Sequence, residues 1–145
     1  MTQTKQISTV ELFDNIRSSP EQFALSLDSQ KLQDSRLILS DYIKDKMAEK
    51  SVCARDLIVK TTLSQSHIYQ ILSGTRAPGR DVLLSIALAL SLSLEETQRL
   101  LLLGQMGALY PKVRRDAAII CCIEQRLDLS KTNEFLLSIS EHEIL

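Results

Sequence analysis

The chain has 145 residues, 44% of them hydrophobic and 24% charged, with a formal net charge of −1, a composition typical of one folded domain with additions. No stretch reaches the ~18 consecutive apolar residues of a membrane span, and the polar residues 1–10 carry no secretory signal. The three cysteines, Cys53 and the adjacent Cys121 and Cys122, fit neither a disulfide framework nor a zinc site, so reduced, buried thiols in a cytoplasmic protein are expected.

Only four glycines and three prolines interrupt a sequence rich in Leu, Ile, Ala, Glu, Gln and Lys, which predicts an all-α fold. Ser8 with Glu11 reads as a capping box, and so does Ser19 with Pro20 and Gln22. They open helices at about 9–17 and 20–27, with Val10, Phe13 and Ile16 on one side of the first and Phe23 and Leu27 on the second. The polar residues 28–36 read as a linker or a frayed turn. A third helix is expected from Ser40 to about Lys50, with Ile43 and Met47 one turn apart. A short helix over about 53–60 meets the tight connection Thr61-Thr62-Leu63. Ser64 then caps a helix over about 65–73 that Gly74 ends. Thr75-Arg76-Ala77-Pro78-Gly79 cannot be helical, and further helices follow at about 81–90, 93–103, 113–126 and 129–139.

The last four helices carry a repeat. Arg80-Asp81 precedes L-x-L-x-x-T-x-x-L-L-L at Leu92 to Leu102, and Arg115-Asp116 precedes L-x-L-x-x-T-x-x-F-L-L at Leu127 to Leu137. Both ends of the pattern recur at the same offset, so two helical hairpins are expected to stack, burying faces that neither could bury alone. An Asp is expected to cap the first helix of each copy, and Ser93 or Asp128 the second. The run Leu100 to Leu103 is apolar around the whole helix and implies burial on more than one side.

The neutral sum of charge hides a basic island. From Lys50 to Arg80 stand Lys50, Arg55, Lys60, Arg76 and Arg80 against Asp56 alone, the footprint of a face that can meet phosphates. Within the island, Ile68, Ile71 and Leu72 lie at i, i+3, i+4 and face a core with Leu57 and Leu63, leaving Gln65, Ser66, His67 and Gln70 outward. Tyr69 reads as packing.

The run Ser64-Gln65-Ser66-His67-Ile68-Tyr69-Gln70-Ile71-Leu72-Ser73-Gly74-Thr75-Arg76, with Leu57, the Thr61-Thr62-Leu63 turn, Pro78 and Arg80-Asp81, resembles the Cro/repressor-like (Xre) helix-turn-helix family over about residues 40–105. The resemblance implies a five-helix lambda-repressor-like domain at 37–106, with an N-terminal helical extension at 1–36 and a C-terminal helical hairpin at 107–145. It also implies a sequence-specific DNA-binding transcriptional regulator, a repressor, that reads the major groove of double-stranded DNA with the helix at about 65–73. Base contacts fall to Gln65, Ser66, His67 and Gln70, with His67 open to a base or a phosphate; glutamine suits adenine. Backbone contacts fall to Ser64, Thr75, Arg76, Arg80 and Arg55. Thr62 stands where many members have Gly, a cost if φ must be positive there.

Such domains pair on half-sites one DNA turn apart, so a homodimer is expected. The C-terminal hairpin either covers the Leu100 to Leu103 run or forms the dimer surface, and the N-terminal helices serve equally well. Two other readings stay open: an antitoxin or adaptor whose C-terminal helices bind a protein partner, with autoregulatory or no DNA binding, and a helical domain without DNA binding. No catalytic, cofactor or metal site is expected, since the two histidines lack ligand spacing and no Gly-rich phosphate loop occurs.

Overall fold

Short polar side chains and left-handed residues cut this helix-prone chain into short segments. The computed structural model describes residues 8–27 and 34–145, and every regular element among them is an α-helix. The chain divides into two compact units, 1–33 and 34–145. No helix among the described residues is long and apolar enough to cross a membrane.

In the first unit, α1 (Thr9–Ser18) starts with the expected capping box: the Ser8 hydroxyl accepts from the Glu11 N–H, and the Glu11 carboxylate accepts from the Ser8 N–H, both at 3.1 Å. Ser19 caps nothing with its side chain, and Pro20 alone opens α2 (Pro20–Leu25), where its missing N–H and fixed φ suit the first turn. Val10, Phe13, Ile16, Leu25 and Leu27 are all exposed, and the Arg17 guanidinium lies over the Phe13 ring, 5.6 Å from its centroid.

The second unit holds α3 (Ser35–Lys50), α4 (Ala54–Lys60), α5 (Gln65–Ser73), α6 (Arg80–Ala89), α7 (Leu94–Leu103), α8 (Arg114–Glu124) and α9 (Leu129–Ser138). α3 begins five residues before the expected Ser40, because Asp34 accepts from the Arg36 N–H at 2.9 Å and caps it. Residues 34–36 of the expected linker therefore belong to this helix start, and 28–33 lie outside the described residues. α3 packs on α5 and α7, α4 on α5 and α6, and α6 on α7. Ile43, Leu57, Ile68, Ile71, Leu83, Leu84, Leu100 and Leu101 are all but fully buried between them, each stabilising the fold by about 1.5–3 kcal/mol. Tyr42 Oη donates to the Glu96 carbonyl, and Lys46 Nζ lies 2.9 Å from the Glu96 carboxylate, tying α3 to the start of α7. That lysine, together with the Ser93 N–H, holds the Glu96 carboxyl at about 2.

The core continues through α8 and α9 without a break, taking in Ile119, Ile123, Leu129 and Leu136. Within the apolar run of α7, Leu100 and Leu101 are buried while Leu102 stays exposed. The two hairpins correspond residue by residue. Gln98 donates to the Leu109 carbonyl and accepts from the Leu109 N–H, and Asn133 does the same to Ile144. Ser91 and Arg126 take φ values of 51° and 58° at equivalent turns, and Gln105 and Ser140 take 59° and 61°.

The expected Asp caps are replaced by an exchange. Gly79 and Val113 precede α6 and α8 with no side-chain cap. Asp116 instead receives Arg80, at 2.9 and 2.8 Å, while Asp81 receives Arg115, at 3.1 Å twice. Arg80 also donates to the carbonyls of Gly107 and Ala108, and Arg115 to those of His142 and Glu143. Two repeats stacked by translation would send Arg115 onward to a third; here it returns to the first. With α6 on α9 and α7 on α8, the relation is that of a local two-fold axis.

Candidate nucleic-acid interface

The connection between α4 and α5 is set by Thr61. Its buried hydroxyl donates to the Leu57 carbonyl at 2.6 Å and accepts from the Leu63 N–H at 3.3 Å. This closes the turn with Thr62 outside the left-handed region, so the glycine common at this place is not required. Ser64 then caps α5 by accepting from the His67 N–H at 3.1 Å, which satisfies one of the unpaired donors of the first turn. Gly74 ends α5 at φ 77°, and a Cβ there would meet Leu37 Cδ2 at 3.0 Å. The first turn of α3 is thus packed on the end of α5, bringing the Arg36 backbone beside it, a neighbour hidden by the later helix start read from the sequence.

Ile68 and Ile71 turn inward with Leu57 and Leu63, and Leu72 is half-buried at the margin. The opposite face of α5 places Gln65, Ser66 and Gln70 in solvent together, with Ser64 before them and His67 half-buried among them. Burial first, then the charge of Arg76, hold the His67 pKa below its ordinary 6.5, so the ring is neutral at pH 7 and offers one donor and one acceptor. Tyr69, read as packing, is instead 51% exposed.

Beyond α5 the chain folds back on Gln70. Its carbonyl accepts from the N–H groups of Thr75 and Arg76 and from the hydroxyls of Ser73 and Thr75. Thr75 and Arg76 therefore stand exposed at the C-terminal end of the α5 face. Arg55 lies exposed in the first turn of α4. Arg80 is turned toward the second hairpin, donating to Asp116 and to the carbonyls of Gly107 and Ala108, and so links the two hairpins. The face thus combines uncharged groups that can both donate and accept with cations at its edges.

Among the described residues, no group of three or more His, Cys, Asp and Glu is placed to hold a metal ion. Of the thiols expected to be buried, only Cys122 is; Cys53 and Cys121 are exposed. Cys53 lies at the start of α4, where its N–H and thiol both donate to Asp56. No protein-family model, curated protein or solved structure matches the chain.

Proposed function

We propose that the chain is a sequence-specific DNA-binding transcriptional regulator, acting as a repressor, in which α4 and α5 form a helix-turn-helix within a five-helix domain, α3 to α7. The observation that carries this reading is the α5 face: Gln65, Ser66 and Gln70 project together from a helix whose other side is anchored by Ile68 and Ile71. A rigid helix with adaptable polar groups near its N-terminal end suits the major groove. Arg76, Thr75, Arg55 and Ser64 stand at the margins, where phosphates would run. The protein acts as a homodimer on two half-sites and without catalysis or cofactor.

The α8–α9 hairpin joins the core through Ile119, Ile123, Leu129 and Leu136, which supports a structural role for it, while Phe135 and Leu137 stay exposed and leave room for a protein partner. Titration of fluorescent duplex DNA across a range of salt concentrations tests the reading. Affinity should fall with rising salt by about 0.9 log units per log unit for each phosphate neutralised. Salt-independent binding, or none at low salt, contradicts it.

A further inference from the structure

Gln70 is not a free side chain. Arg76 Nη1 donates to its Oε1 at 3.4 Å, and its Nε2 donates to Ser66 Oγ at 3.5 Å. We propose that Arg76 is a positioning residue that fixes the amide of Gln70 and so determines base specificity, in addition to any phosphate it grips. The inference rests on the DNA reading of α5 and deepens it.

The chemistry is one of counting. An amide oxygen has two acceptor sites and an amide nitrogen two donors. Arg76 takes one of the first and Ser66 one of the second, leaving one acceptor and one donor, the pair that an adenine matches with its N6 and N7. The opposite amide orientation would set N–H against the guanidinium N–H, so the cation permits only one of the two. Arg76 itself is anchored: its backbone N–H donates to the Gln70 carbonyl at 3.3 Å, beside that of Thr75 at 3.0 Å. The residue that orients the side chain is thus held by the same residue's main chain. A lysine at position 76 keeps the charge but lacks the planar guanidinium whose Nη1 reaches Oε1.

The test uses the full chain as wild type, Arg76→Lys and Gln70→Ala. Nuclear magnetic resonance of the free proteins reads the side-chain amide signals of Gln70, and selection from random duplexes reads base preference. The expected result is that Arg76→Lys moves the Gln70 amide signals. It should also lower adenine preference by roughly 3- to 10-fold at the position that Gln70→Ala abolishes, and leave the salt dependence unchanged. Unmoved amide signals, or an unchanged preference at that position while wild type selects a site, overturn the assignment. If the wild type selects no duplex at all, the DNA reading itself fails and the specificity role with it, an outcome distinct from both.

Discussion

Glutamine and arginine are used in opposite ways in two parts of this molecule. In the α6–α9 repeat, Gln98 spends both ends of its amide on Leu109, and Arg80 directs four hydrogen bonds to Asp116, Gly107 and Ala108. On the α5 face, the side chains of Gln70 and Arg76 share one bond of 3.4 Å, the Gln70 amide makes one more to Ser66, and Gln65 stands in solvent. Saturated polar groups hold the fold in the repeat, while the α5 face keeps half-satisfied groups on a rigid surface, the condition that the proposed DNA reading requires.

That contrast can be broken by substitution. The largest loss of stability is expected from Asp116→Ala. Burial raises the pKa of this carboxyl, but the Arg80 bonds and the Tyr110 N–H outweigh that and hold it below its ordinary value. Removing it leaves Arg80 with the Gly107 and Ala108 carbonyls alone, at a cost of about 3 kcal/mol and a fall in Tm of roughly 10 °C, measurable by thermal denaturation.

Next comes Glu96→Gln. With the native carboxyl at about 2 against an ordinary 4.5, the ionised form favours folding. Its contribution is complete above pH 4.5 and is lost as the pH falls toward 2. Denaturant titrations across that window should show wild type losing roughly 1–3 kcal/mol that the variant no longer has. Asp81→Ala should cost less than Asp116→Ala, about 1 kcal/mol, since Asp81 is 37% exposed against 8% for Asp116. Equal effects would mean that the two halves of the exchange are energetically symmetric despite that difference. Smallest in stability is Gln65→Ala with Gln70→Ala, expected within about 0.5 kcal/mol of wild type by the same denaturation.

The sequence made the middle of the molecule legible because its boundaries are chemical. Ser64 and Gly74 mark α5 to the residue, and the spacing of Ile68 and Ile71 assigns its faces. The repeat offset was visible too, yet it names partners only for contacts within a helix. Arg80 and Asp116 are far apart in the chain, so the sequence reads Asp116 as a cap and does not pair it with Arg80, a contact that only packing creates. Gln98 and Asn133 occupy equivalent places in the two copies, and that correspondence was the available signal for their shared clamp. Asp34 went unread as a cap because it sits in a polar run whose other members mask it. The bond from Arg76 to Gln70 depends on how the chain turns after Gly74, which periodicity does not describe.

The most direct test of the central claim is selection of bound duplexes from random DNA, comparing wild type with the Gln65→Ala, Gln70→Ala double variant. Wild type is expected to enrich a short, two-fold-symmetric site, and the variant, equally stable, to lose that preference by about 1–3 kcal/mol for each bidentate contact removed. Identical enrichment by both proteins, or none by wild type at low salt, would contradict it.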